Sequence, residues 1–371
     1  MAKTYDVAAY VWPSYSGDDP RARIFWPEGL GEWETVRKAA GKRPGHDWPR
    51  KPVWGHVNEA DRYVMEMQIA AAADHGVNVF IYDWYWYDRR PFLENCLNDG
   101  FLKARNNDRM RFYLMWANHD ATTLWDIRNS HDQQTPIWEG AVDRAEFERL
   151  GARLLERYFR HPCYYRIDGK PVLAVYSLDV FLRGLGGIDP AARAMDWLRE
   201  RAVRAGLPGL HWQLILYGNG TFADGVSGKP ASVADAVRRM GWESATQYQM
   251  CVHGSADPNL PYPDIAESEA ARWPEYAARC GVPYFPHVAV GWDNNPRFRD
   301  YIPSVVSEAT PANVERAFRL ARRYVDGHPG QPPLITVNSW NEWTETSYLQ
   351  PDDKYGYSYL EAVRRVFVDG L

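Results

Sequence analysis

Apolar, β-branched and aromatic runs recur along the chain at Val7 to Tyr15, Val77 to Tyr87, Arg111 to Asn118, Pro171 to Tyr176, His211 to Tyr217, Ser244 to Met250, Val282 to Val290 and Leu334 to Trp340. Between them the apolar positions change to helical spacing. The clearest helix opens with Thr310 as N-cap and Pro311 in the first turn, repeats Val314, Ala317, Phe318, Ala321, Tyr324 and Val325, and stops at Gly327 ahead of Pro329. Another opens at Asp189-Pro190, carries Met195, Leu198, Ala202 and Val203, and ends at Gly206. A third is expected to start at Asn58, with Asp61 three residues on, and to end at Gly76. Pro274 is expected to divide the sixth helix, Ala266 to Cys280, into two short pieces. Eight strands alternating with helices predict parallel βα units, and eight such units close a (β/α)8 barrel. These signals use up almost all of residues 1–371, so a single barrel domain is expected.

Loop lengths indicate which rim of that barrel works. Helix-to-strand links are short, as where Gly76 leads at once into Val77 and Gly281 into Val282. Strand-to-helix links are long: Pro13 to Val57, His119 to Ala141, Gly218 to Pro230, Cys251 to Asp264, Gly291 to Ala309 and Trp343 to Lys354. The C-terminal rim is therefore the functional one. The first of these loops, with Trp26, Trp33, Trp48 and Trp54 among many prolines and glycines, is too long for a bare connection and reads as an ordered wall of a cleft.

Composition narrows the classes. A 45% hydrophobic and 25% charged balance is that of an ordinary globular chain. The net charge of -5, with no basic block longer than a pair of arginines, argues against nucleic acid or an anionic membrane as partner. No run approaches the length of a membrane span, and the N-terminus enters a strand without an apolar leader, so the chain as written reads as cytoplasmic. Cys96, Cys163, Cys251 and Cys280 are too scattered for a disulfide framework or a structural zinc. The unusual numbers are 17 Trp and 23 Tyr, most of them near strand ends and in loops, which calls for a cleft faced with rings.

The chemistry gathers at the strand ends. Asn341-Glu342-Trp343-Thr344-Glu345 puts two carboxylates three residues apart, walled by Trp340 and Trp343, after a buried-looking strand. A bare pair at this spacing is more often a solvated helix face. The rings and Asn341 favour glycosidic cleavage, in which one carboxyl protonates the leaving oxygen, a second works on the sugar and flat apolar surfaces hold the ring. In an extended strand residues three apart face opposite ways, so a working pair requires the chain to bend within Trp343-Thr344. Asp83, inside Tyr82 to Tyr87, is either a sugar hydroxyl ligand or a satisfied structural acid. His119, after Trp116-Ala117-Asn118, is either a hydrogen-bonding site residue or a rim contact. Asp293 is expected to fix a sugar with Arg297 as its ion-pair partner, the alternative being an Asx turn. Opposite proton demands on the pair would raise the pKa of the carboxyl that acts as acid and keep the other ionised, with Asn341 as an expected hydrogen-bonding neighbour of Glu342. Tyr10, Trp12, Trp33, Trp84, Trp86, Trp116 and Trp292 complete the candidate sugar-binding set. No cofactor and no metal are expected: HExxH, HxH, DxD, phosphate-loop and GxSxG patterns are all missing.

Together these pieces resemble the glycoside hydrolase family 99-like group, which includes endo-α-mannosidases and WbsX-like proteins. The resemblance runs through Gly31-Glu32-Trp33, Phe80 to Tyr87, Trp116-Ala117-Asn118, Asp168 to Pro171, Gly291 to Asn294 with Arg297, and Asn341 to Glu345 with Leu349-Gln350-Pro351. It implies a barrel fold, an oligo- or polysaccharide substrate and retention of configuration. It also implies that Glu342 assists attack by the sugar's own 2-hydroxyl, giving a 1,2-anhydro intermediate, while Glu345 is general acid and base. A manno-configured sugar, D-mannose or L-rhamnose, fits that route. Thr344, Thr346, Gln350 and His119 depart from the family pattern at the substrate end. A transferase using the same carboxylates and a noncatalytic glycan-binding barrel are the competing classes.

Overall fold

The computed structural model describes residues 4–131, 135–217, 221–223, 230–254, 257 and 259–370. Parts of the expected loops after the third, fifth and sixth strands (132–134, 218–220, 224–229, 255–256 and 258) lie outside the described residues, as do residues 1–3. Eight parallel strands form the barrel: β1 (Asp6–Val11), β2 (Val79–Tyr87), β3 (Arg111–Trp116), β4 (Lys170–Val175), β5 (His211–Ile215), β6 (Ser244–Thr246), β7 (His287–Ala289) and β8 (Leu334–Asn338). They are hydrogen-bonded in the order β6-β5-β4-β3-β2-β1-β8-β7. β1 joins the two ends of the chain, pairing with β2 on one side and with β8 on the other, where Asp6 stands opposite Leu334.

The remaining gap, between β6 and β7, closes through an irregular segment. Ala245 donates to Pro283 O at 2.9 Å and accepts from Phe285 N at 2.9 Å. Pro283 and Pro286 lack the N–H groups that a regular ladder needs, which is why the regular part of the seventh strand shrinks from the expected Val282 to Val290 to three residues. Side chains of most strands are buried on both faces, as in a barrel filled inside and covered outside by helices.

The helix starting at Thr310 forms as expected over Pro311–Gly327, with the Thr310 side chain accepting from Asn313 N. The helix expected from Asn58 is capped instead by Asp61 and covers Arg62–Asp74, while Asn58 uses its side chain to accept from Ala60 N in the preceding turn. Pro274 does not divide the sixth helix, which runs unbroken over Tyr262–Cys280. The proline sits on the exposed side, where water can take the carbonyl it leaves free, and Trp273 and Tyr276 anchor the helix on both sides. Among the described residues no helix is long and apolar enough to cross a membrane.

The first loop is an ordered wall, as its length suggested. It contains a short 3-10 helix, Pro20–Ile24, and a short helix, Trp33–Lys38, and it buries Trp26, Trp33 and Trp48.

Candidate active site

After β8 the chain bends where the paired glutamates require it. Asn341–Glu342 pairs antiparallel with Ser347–Tyr348, and Trp343–Glu345 forms a single 3-10 turn between them. Thr346 closes the turn at φ 53°, a left-handed conformation that is costly for a β-branched residue. Its hydroxyl donates to Asp293 O at 2.9 Å and so fixes the turn to the loop after β7. Both glutamates thereby face one cavity of about 190 Å3 at the C-terminal rim, together with Trp12, Asp83, His119 and Arg297.

Arg297 is the centre of the charge arrangement. Its guanidinium donates through Nη2 to Glu342 Oε1 at 2.8 Å, through Nη1 to Glu345 Oε1 at 2.6 Å and through Nε to Glu32 Oε1 at 2.9 Å. Glu32, from the first loop, is fully buried and is also held by Trp12 Nε1 and by the Ser14 hydroxyl. One positive charge thus faces three buried carboxylates. Burial pushes Glu342 well above the usual carboxylate range, with the neighbouring Glu345 adding to this and Arg297 opposing it, which runs against the expectation that Glu342 stays ionised while Glu345 alone is raised. Burial also raises Glu345, again opposed by Arg297. The second carboxylate oxygen of Glu345 has no hydrogen-bond partner.

The Tyr248 phenol lies 2.9 Å from Asp83 Oδ2 and 3.0 Å from Glu342 Oε2. A phenol has a single proton to donate, so two hydrogen bonds to two carboxyl groups require that one of those groups itself be protonated. Burial pushes Asp83 well up, opposed by the Tyr248 bond, and Asp83 lacks the guanidinium contact that Glu342 has. The arrangement Asp83–H to Tyr248 and Tyr248–H to Glu342 gives both hydrogen bonds a donor and leaves Asp83 Oδ1 without a partner.

Of the expected site residues, Glu342, Glu345, Asp83, His119, Trp12 and Arg297 line the cavity. The others do not. Side chains alternate along a strand, so with Asp83 and Tyr85 turned inward, Trp84 and Trp86 face out, donating to Glu94 and Glu146. Trp116 likewise packs outward on Phe147 and Phe181, while Met115 and Ala117 face the cavity. Tyr10 lies in the barrel with its hydroxyl on Gln247 O. Asn118 ties the ends of β3 and β4 together through both backbone groups of Ser177. Trp33 stands behind the site against Trp343, and Trp343 stacks on Tyr348 at 3.8 Å and donates to Gln350.

Asn341 does not reach Glu342: it clamps the Trp12 backbone at both ends and donates to Glu59 Oε2 at 2.7 Å. Asp293 is not paired with Arg297. It accepts from Asn295 N at 3.0 Å in an Asx turn and meets His46 Nε2 at 2.8 Å, and with Trp292 it lines a separate cavity of about 370 Å3 behind Thr346.

Sequence reasoning overlooked Glu32, Tyr85, Leu124, Trp125, Tyr176 and Tyr248. Strand parity pointed to Tyr85 from Asp83, and Glu32 stands inside the motif Gly31-Glu32-Trp33. Tyr176 and Tyr248 sit at strand ends that were recognised as such. Nothing in the sequence marked Leu124 or Trp125.

The family model described as Glycosyltransferase WbsX matches residues 7–363. The chain belongs to that family. This WbsX-family chain is 27% identical over 357 residues to the uncharacterized protein WxcX of two strains of Xanthomonas campestris pv. campestris, a match covering 93% of this chain and 47% of the relative. It therefore spans about half the length of those relatives. Among solved structures it resembles the GH99 endo-alpha-mannosidase from Bacteroides thetaiotaomicron at a TM-score of 0.64, with 13% identity and 100% and 98% of the two chains covered. A structure described as a glycoside hydrolase-like protein matches at 0.62, with 15% identity and 99% and 94% covered. At these identities the likeness shows the fold, a (β/α)8 barrel.

Proposed function

We propose that the chain is a retaining glycoside hydrolase acting on α-linked, manno-configured glycans through a 1,2-anhydro sugar. The observation that carries this reading is the bridging of Glu342 and Glu345 by Arg297 in a ring-lined cavity, with one oxygen of Glu345 left without a partner. Glu342, whose oxygens accept from Arg297 and Tyr248, takes the proton of the 2-hydroxyl in its ionised form. The 2-oxygen attacks the anomeric carbon as its bond to the leaving oxygen breaks, and Glu345 delivers its proton to that oxygen. Water then opens the three-membered ring, giving a proton back to Glu345 as the 2-oxygen recovers one from Glu342. An axial 2-hydroxyl trans to an α-leaving group has the geometry for this route. Because the sugar supplies its own nucleophile, the pair is free of the roughly 5–5.5 Å separation that direct attack demands.

Transfer to a sugar acceptor is the second reading, favoured by the family's description and by the cavity of about 370 Å3 across Thr346, which has room for a sugar ring. The test is turnover of α-linked mannan and rhamnan oligosaccharides with analysis of the products, free sugar marking hydrolysis and lengthened oligosaccharide marking transfer. Glu342→Gln and Glu345→Gln are each expected to abolish turnover while ligand still binds. An activated aryl leaving group is expected to rescue Glu345→Gln in part and Glu342→Gln not at all, since such a group needs no proton. Full activity in either variant, or inversion at the anomeric carbon, overturns the assignment.

A further inference from the structure

We infer that the sugar taken by this cavity is a 6-deoxyhexose, its C6 methyl seated against Met115, Ala117 and Leu124. The inference rests on the glycan-processing reading of the same cavity. Barrel order sets β3 three strands away from β8, so the segment after β3 faces the segment after β8 across the mouth. The charged groups of the cavity come from β2, from β8 and from the loop after β7, namely Asp83, Glu342, Glu345 and Arg297. The β3 side supplies an aliphatic strip: Met115 and Ala117 by strand alternation, then half-buried Leu124 from the loop.

His119 adds little polarity there. Its Nδ1 lies 3.0 Å from Asp120 O, and a carbonyl can only accept, so Nδ1 carries the hydrogen. Burial lowers the pKa of the ring, and the neutral tautomer leaves Nε2 as an acceptor alone. Trp12 and Trp125 line the same cavity and supply its ring surface, so the aliphatic strip is not needed for that. A hydroxymethyl group turned to this side would set its hydroxyl among methyl and methylene carbons with His119 Nε2 as an acceptor at the end of the strip, whereas a methyl group against Met115, Ala117 and Leu124 loses nothing.

The test is direct binding of methyl α-glycosides that differ only at C6: D-mannoside against 6-deoxy-D-mannoside, and L-mannoside against L-rhamnoside. In one of the two pairs the 6-deoxy member is expected to bind about ten- to a hundredfold more tightly. Leu124→Asn and Ala117→Ser, both at the cavity edge and outside the acid–base machinery, are expected to bring that ratio close to one. A 2-acetamido sugar tests the other source of a methyl group.

A ratio near one in both pairs, a ratio that the variants leave unchanged, preference for the acetamido methyl, or no binding of either 6-deoxy glycoside at about 10 mM overturns the inference. Failure of the hydrolase reading is distinguishable: the C6 ratio then persists in binding while no oligosaccharide is cleaved. Cleavage without a C6 preference is the reverse case.

Discussion

Arg297 sets the proton inventory of the site. With Glu32, Glu342 and Glu345 all within reach of one guanidinium and all out of water, full ionisation would leave two uncompensated negative charges. Tyr248 links this group to Asp83, and the single phenolic proton forces a further proton onto the Asp83–Glu342 pair. Tyr248→Phe removes a hydrogen bond to an ionised acceptor and is expected to cost about 1.5–3 kcal/mol, roughly 10- to 150-fold in kcat/KM. Losing a donor to the charged form raises the pKa of Glu342, so the acidic limb of the pH–rate profile is expected to move to higher pH. An unshifted limb with unchanged rate would mean that Tyr248 only fills space. Asp83, Glu342 and Glu345 were legible in the sequence because acids inside aromatic runs are uncommon, whereas Glu32 was not. The place of the tryptophans follows strand parity rather than residue type: Asp83 inward fixes Trp84 and Trp86 outward.

At the scale of elements, the turn after β8 carries both glutamates because two neighbours hold it: Ser347–Tyr348 by pairing and Asp293 by accepting from Thr346. The need for a bend could be read from the three-residue spacing. The device that accomplishes it, a threonine in the left-handed region, could not, since that choice depends on a contact with a loop some 50 residues away. Pro274 is the matching case among helices, a local breaker overruled by packing on both sides. Pro274→Ala restores the missing backbone bond at an exposed position. It is expected to stabilise the protein by about 1–2 kcal/mol, less than the full cost of an interior proline because the unfolded chain gains freedom. A thermal midpoint equal to or below that of the wild type would show that the helix has adapted to the ring.

For the whole molecule, buried acids and buried histidines pull in opposite directions with pH. Glu59, fully buried beneath Asn341, Gln68 and Gln350, is pushed up to about 7 by burial. The folded state then binds more protons than the unfolded one between about pH 4.5 and 7, and stability falls as pH rises through that window. His211 and His253, lowered to about 4, and His287, lowered to about 3, do the reverse: stability falls as pH drops below their unfolded value of about 6.5. Between about pH 6.5 and 7.5 the unfolded histidines lose their remaining protons, a contribution that Glu59→Gln leaves unchanged, so the difference in slope between the two proteins reports Glu59. Across this interval the slope of the thermal midpoint against pH is expected to be more positive in Glu59→Gln than in the wild type, whatever that variant's absolute stability. An equal slope in both proteins would remove Glu59 from the account.

The joining of Glu32 to Arg297 across 265 residues has a consequence for how the molecule is made. During synthesis the first loop emerges long before its guanidinium partner. Burying Glu32 at that stage would leave a charge without its counter-ion, a penalty of several kcal/mol. The wall of the cleft that comes first in the chain is therefore the part that must wait, solvated and unsettled, until residues near the far end are threaded into place. Barrel closure, with β1 receiving β8, and assembly of the reactive centre become one late event. A nascent chain is then expected to hold no half-formed carboxylate centre before the fold is complete.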